Sequence, residues 1–160
     1  MKFRNARVAD IEEMKQLYVE TIESVCKRDY DELQRSTWSA GIHNAARWSN
    51  LITQQYVLLS IINHKIVGYG SLKDWNYIDF FYVHKDYQGK GIAQRILMKL
   101  EEESRKHGIQ TISGDISITA KGFFEKNGYN VLKEQENFRN NICLINYKME
   151  KDLAKNWLRP

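Results

Sequence analysis

Proline is almost missing from this sequence; the only one is Pro160. A proline-stiffened linker between domains is therefore not expected. Cysteine is scarce as well. Cys26 and Cys143 have no metal-like spacing and are too few for a disulfide framework. They read as small apolar side chains, free thiols in a reducing compartment. No apolar run is long enough to span a bilayer. The nearest, Leu51 to Ile62, is broken by Thr53, Gln54 and Gln55. Met1-Lys2-Phe3-Arg4-Asn5-Ala6-Arg7 lacks the apolar stretch of a signal peptide. Cytoplasmic residence is the default expectation, with no membrane partner. Dense basic runs are also absent. The net charge of +4 comes from Lys and Arg scattered along the chain, which disfavours a nucleic-acid partner and suits an anionic small ligand. His43, His64, His84 and His107 show no metal-ligand spacing, so no metal site is expected. His64 reads as a turn residue, His107 as a helix terminus and His84 as a solvated loop residue.

What is present is ordinary for a soluble globular chain: 160 residues, 42% hydrophobic and 28% charged. That length matches one domain, expected over 1–160. Phe3 to Arg7 alternates weakly and predicts a strand. Asp10 and Glu13 have capping-box spacing before a helix carrying Ile11, Met14, Leu17, Tyr18, Ile22 and Val25. Arg28 to Gln55 predicts helix in pieces. Tyr56 to Ile62 and Lys65 to Leu72 predict a hairpin across Asn63-His64, and Asn76 to Val83 a further strand. After Gly91 the period changes. Ile92, Ala93, Ile96, Leu97 and Leu100 share one helical face, with the pairs Glu101–Arg105 and Glu102–Lys106 on the other. Gly108 stops that helix. Thr111 to Ile116 predicts a strand, Ala120 to Asn127 a short helix, and Tyr129 to Lys133 with Ile142 to Met149 a closing strand pair. The order β-α-α-β-β-β-α-β-α-β-β, with hairpins beside one crossover, predicts an α/β (α+β) fold with a mixed sheet flanked by helices.

The most informative stretch joins Val83 to the next helix through Gln88-Gly89-Lys90-Gly91-Ile92-Ala93. The first turn of a helix carries free N–H groups and partial positive charge. Glycines there let a ligand approach the backbone closely. Such a turn suits a phosphate or pyrophosphate. The P-loop spacing is absent, and Gln94 stands where a dinucleotide fingerprint needs its third glycine.

This turn resembles the acetyl-CoA-binding motif of the GNAT N-acetyltransferase superfamily, Gln/Arg-x-x-Gly-x-Gly/Ala. Ser117-Ile118-Thr119-Ala120-Lys121-Gly122-Phe123-Phe124-Glu125-Lys126-Asn127-Gly128-Tyr129 resembles the family's later motif, Asn-x-x-Ala-x-x-Phe-Tyr-x-x-x-Gly-Phe. The element order matches from Phe3 to Met149. Arg28-Asp29-Tyr30 and Phe123-Phe124 look most like a bacterial YafP-like branch.

The resemblance implies a GNAT-like fold with a splayed central sheet, acetyl-CoA as co-substrate and a small amine as acceptor. It leaves a homodimer open. It implies that the backbone of Phe81, Tyr82 and Val83 holds the pantetheine arm. The pyrophosphate would then rest on Gln88, Gly89, Lys90, Gly91, Ile92 and Ala93. Ser117, in place of the family's Asn, would hydrogen-bond the pantetheine amides. At the family's usual basic positions on the strand stand Asp79 and Tyr77, the candidate catalytic pair. Strand alternation puts Tyr77, Asp79, Phe81 and Val83 on one face, and burial would make Asp79 a better base. Phe124 occupies the position of the family's acid Tyr and cannot donate a proton. Tyr129, Tyr82 and water are the candidate substitutes. The acceptor pocket is expected from the helical segment after Cys26 and from the last hairpin, near Arg28, Asp29, Tyr30, Trp38 and Trp48. A non-catalytic acyl-CoA-binding or sensing module is the alternative, with Phe124 as its main support.

Overall fold

The computed structural model describes residues 1–154; residues 155–160 of the expected unit lie outside the described residues. The elements run β1 (Lys2–Asn5), α1 (Ile11–Val25), α2 (Glu32–Ser39), α3 (Ala45–Gln54), β2 (Tyr56–Ile62), β3 (Lys65–Lys73) and β4 (Tyr77–Val83). They continue with α4 (Ile92–Lys106), β5 (Thr111–Ser117), α5 (Ile118–Lys126), β6 (Asn130–Arg139) and β7 (Ile142–Asp152). This is the expected mixed α/β order with one more helix, because Arg28 to Gln55 divides into α2 and α3.

The local reasons differ in part from those anticipated. Asp10 does not cap α1. Its carboxylate turns back to accept from the Arg7 N–H at 2.7 Å and from the Arg4 guanidinium at 2.8 Å. That ends β1 at Asn5 rather than Arg7. Glu13 instead accepts from the Ile66 N–H on β3 at 2.8 Å. The reciprocal capping box belongs to α2, where Asp31 and Gln34 satisfy each other's backbone N–H.

Among the described residues, seven strands are ordered β1-β2-β3-β4-β5-β7-β6, and only β4 and β5 pair in parallel. Three hairpins turn through two-residue positive-φ pairs, Asn63-His64, Asp74-Trp75 and Asn140-Asn141. Trp75 is an awkward residue at φ 63, and its ring lies flat on His107 at 3.6 Å, a contact that offsets the strain. One sheet face packs Ile78 and Val83 against Ile92, Ile96 and Leu100 of α4 and Phe124 of α5. The other packs Leu59, Tyr69 and Phe80 against Met14, Leu17 and Ile22 of α1 and Trp48 and Leu51 of α3.

Glu101 departs from the solvent-facing ion pair expected with Arg105. It is 5% exposed. Lys151 donates to its carboxylate at 2.9 and 3.0 Å, and the Tyr129 hydroxyl donates at 3.1 Å. Arg105 stays at 3.7 Å, at the rim. No helix of the described residues is long and apolar enough to cross a membrane.

Candidate active site

The site begins where β4 and β5 part. They pair only at Tyr77 with Ser113 and Ile78 with Gly114. The cause lies in β4. Gly70 pairs with Phe81 and Leu72 with Ile78, so Asp79 and Phe80 share Ser71 as partner. The Ser71 hydroxyl accepts the Phe80 N–H at 3.0 Å. Such a bulge bends its strand and increases its twist, which carries the end of β4 away from β5.

The bulge also corrects the expected face of this strand. Ile78 joins the α4-side cluster with Val83 and Phe81, while Phe80 and Tyr82 pack on the α1 side. Asp79 is drawn toward α3 and away from the row of Phe81 and Val83. Arg47 donates to it twice, at 3.1 and 3.3 Å, and Gln55 once, at 2.7 Å. Asp79, expected as a base favoured by burial, is therefore engaged by a guanidinium and a side-chain amide.

Backbone groups of β4 line the opening. The His84 N–H donates to the Val67 carbonyl at 2.8 Å. Hydrogen-bonded pairs alternate along an antiparallel ladder, so Phe81 and Val83 turn their N–H and C=O away from β3, toward β5. The Val83 carbonyl accepts from the Thr21 hydroxyl at 3.0 Å and from Gln88 Nε2 at 2.7 Å. The Val83 N–H and both groups of Phe81 face the gap. The Tyr82 backbone pairs instead with Tyr69 on β3. What Tyr82 brings is its ring, 4.9 Å from that of Tyr18, with burial pushing its phenol pKa well up.

A cavity of about 430 Å³ occupies the gap. Phe81, Ala120, Phe123 and Phe124 wall it on the helix α4–α5 side, and Thr21, Cys26, Trp38 and Tyr82 on the α1–α2 side. Asp79 and Asp115 both reach its lining.

The glycine turn opens into this cavity. Gly89 and Gly91 have φ +71° and +76°. A Cβ at either would meet nothing within 4 Å, so conformation rather than crowding demands glycine. Gly91 caps α4 with no side-chain partner, and the helical ladder starts with the Arg95 N–H on the Gly91 carbonyl at 3.2 Å. The N–H groups of Ile92, Ala93 and Gln94 thus lack ladder partners beside the cavity. Gln88 holds the strand end with its side chain. Lys90 is exposed, its ammonium 4.9 Å from the Tyr87 ring. His84 is not the solvated loop residue expected. It is 4% exposed, accepts the Asp86 N–H at 3.1 Å on Nδ1, and burial lowers its pKa.

The remaining predicted residues divide. Ser117 caps α5, its hydroxyl oxygen accepting the Ala120 N–H at 3.1 Å. The hydroxyl proton is left to donate, and Ser117 lines the cavity. Phe124 is fully buried, edge-on to Phe81 at 5.2 Å and to Tyr129 at 5.0 Å. Tyr129 itself is turned toward Glu101 and does not line the cavity. Arg28 is exposed and does not line it either. Tyr30 is a buried strut: it accepts the Ile118 N–H at 3.0 Å and donates to the Ile145 carbonyl at 2.5 Å, with its pKa pushed up to about 12 by burial. Asp29 accepts from the Thr119 hydroxyl at 2.8 Å. Asp29 and Tyr30 therefore anchor the start of α5. Trp48 is core, and Trp38 alone of the expected acceptor residues lines the cavity. The Tyr77 hydroxyl donates to Asp115 at 2.5 Å, and burial, then this bond, raises its pKa.

Sequence reasoning missed Thr21, Asp115 and Gln135. Thr21 is masked by an amphipathic helix. Asp115 stands in a short alternating strand, a place that by itself suggests only a solvent-facing charge. Among the described residues no cluster of three or more His, Cys, Asp or Glu is arranged to hold a metal.

A family model described as an acetyltransferase (GNAT) domain matches residues 26–151. The uncharacterized N-acetyltransferase YafP of Escherichia coli is 27% identical over 135 residues, covering 84% of this chain and 85% of YafP. The crystal structure of a GCN5-related N-acetyltransferase from Rhodopseudomonas palustris superposes with a TM-score of 0.90 at 28% identity, covering 94% of both chains. PaiA N-acetyltransferase from Thermoplasma acidophilum, solved in complex with coenzyme A, shares the fold with a TM-score of 0.77 at 19% identity, covering 94% of this chain and 98% of PaiA.

Proposed function

The chain belongs to the GNAT acetyltransferase family, and from that premise we propose that it transfers the acetyl group of acetyl-CoA to the amine of a small molecule by direct attack in a ternary complex. The acetyltransferase domain would extend over 1–160. The observation that carries the reading is the continuous cavity between β4 and β5. It connects unpartnered amides at the start of α4 with unpaired backbone groups of β4. Coenzyme A in the PaiA complex supports the same ligand here.

The residues fit that ligand. Open N–H groups of Ile92, Ala93 and Gln94, with the helix dipole behind them, suit the pyrophosphate. Gly89 and Gly91 keep side chains out of its way. Phe81 and Val83 offer strand-like hydrogen bonds to the pantetheine amides, and the Ser117 hydroxyl adds a donor. Phe81, Phe123 and Phe124 form an apolar wall that excludes water from the thioester. Acetyl-CoA supplies the activated acyl group. The protein supplies position, which can account for several kcal/mol of barrier.

A binding-only module is the second reading, favoured by one observation: the buried Phe124 ring carries no proton to give a departing thiolate. A thiolate needs little assistance, however, since a thiol pKa is near 8.5. Thiol release from acetyl-CoA with a panel of primary amines, beside calorimetric titration with acetyl-CoA, separates the two. Turnover with at least one amine is expected. Tight binding without turnover across the panel would establish the second reading.

A further inference from the structure

We infer that Asp115 is the carboxylate that receives the acceptor's ammonium group, so that the site selects a cationic aliphatic amine; this rests on the acetyltransferase reading above. Two carboxylates line the cavity, Asp79 and Asp115, and their surroundings are opposite. Asp79 is already engaged by the Arg47 guanidinium and by Gln55, and its side chain is 12% exposed. Asp115 is exposed, and its two hydrogen-bond donors are neutral. The Tyr77 hydroxyl donates to Oδ2 at 2.5 Å and Gln135 Nε2 to Oδ1 at 2.7 Å. Among the described residues no cation lies within ion-pair distance of Asp115. The charged and titratable groups around it are Tyr77 and Asp79 on β4, and Lys148 opposite it on β7.

The placement matters as much as the charge. Asp115 follows Gly114, the last residue of β5 paired to β4. It therefore stands at the fork from which the cavity opens. Tyr77 grips it from β4 and Gln135 from β6. A carboxylate accepts about four hydrogen bonds, so each oxygen keeps room for another donor. Gln135 is itself fixed by donating to Asn146 at 3.0 Å. The carboxylate is thus oriented but not ion-paired, a combination that attracts and aligns an ammonium group.

The step balances without a side-chain acid. The ammonium donates to Asp115, and one proton passes through this exposed carboxylate to water. The neutral nitrogen attacks the thioester carbonyl carbon; the C–N bond forms and the C–S bond breaks. The second nitrogen proton leaves with the sulfur, giving the CoA thiol. Phe124 is compatible with this route.

Asp115→Asn tests it, with Asp115→Glu and Asp79→Asn alongside. For an alkyl amine, kcat/KM of Asp115→Asn should fall by about 10²-fold, the lower range of general-base contributions. Its calorimetric affinity for acetyl-CoA, which also reports folding, should stay within about 2-fold if position and cofactor binding are independent. The residual rate should rise steadily with pH, because only amine already neutral in solution then reacts. Asp115→Glu should recover much of the loss, and Asp79→Asn should lose less than Asp115→Asn. An Asp115→Asn variant with near wild-type turnover and an unchanged pH profile overturns the inference while leaving the acetyltransferase reading intact. So does a larger loss at Asp79. Absence of turnover by the wild type with every amine, despite acetyl-CoA binding, overturns both.

Discussion

Replacing Gly91 separates the two things this residue does. At φ +76° a side chain strains the backbone. Left-handed helical geometry costs an L-residue about 1–2 kcal/mol. A Cβ at this position meets nothing within 4 Å, so no clash adds to that strain. Gly91→Ala and Gly91→Glu should therefore lose similar stability, and for a chain of this size about 2–8 °C in Tm. Their affinities for acetyl-CoA should differ. The glutamate places a negative charge beside the N–H groups of Ile92, Ala93 and Gln94, where the doubly charged pyrophosphate is proposed to rest. Two charge pairs near 4 Å in water cost about 1 kcal/mol each. The glutamate variant should thus bind about 30-fold more weakly than the alanine variant, since 1.4 kcal/mol is tenfold. Calorimetric titration at 0.05 M and 1 M NaCl reads the difference, which should shrink at high salt as the Debye length falls to about 3 Å. Equal affinity of the two variants at low salt would refute the placement of the pyrophosphate on this turn.

Removing the buried carboxylate in Glu101→Ala strands Lys151 and the Tyr129 hydroxyl. Breaking a buried pair costs about 3–5 kcal/mol, so a thermal melt should show a fall of about 6–20 °C. Turnover per folded molecule should be unchanged, because Glu101 does not line the cavity. Tyr30 predicts a pH effect on stability. Burial pushes its folded pKa up to about 12 from the ordinary phenol value of about 10, so the unfolded phenol ionises first as pH rises. Its contribution is complete below pH 10 and is lost between pH 10 and about 12. Urea unfolding of the wild type should weaken through that window more steeply than that of Tyr30→Phe.

The glycine turn was legible because its requirements are local. Positive φ, an uncapped helix start and a change from strand to helix period all leave marks within a few residues. The element order followed for the same reason, as each hairpin and crossover is set by its own turn and periodicity. Asp79 was misplaced because alternation was extended across a bulge, and the bulge depends on Ser71, a residue of the neighbouring strand. Tyr30 looked like an acceptor residue because its partners, Ile118 and Ile145, lie far along the chain. Glu101 looked solvent-facing because Lys151, fifty positions away, was invisible to a helix pattern.

By itself, then, the sequence determined a mixed α/β fold and a glycine turn suited to an anion, and its resemblance to the GNAT family implied acetyl-CoA and set Phe124 where that family has a tyrosine. Short-range conformational and spacing rules suffice for the fold and the turn. Only the tertiary structure decided where β4 and β5 separate, that Asp79 is engaged by Arg47 and Gln55, and that Asp115 remains open at the fork. Those features arise from contacts between segments distant in the chain, where one bulge or one side-chain partner changes which group faces the cavity.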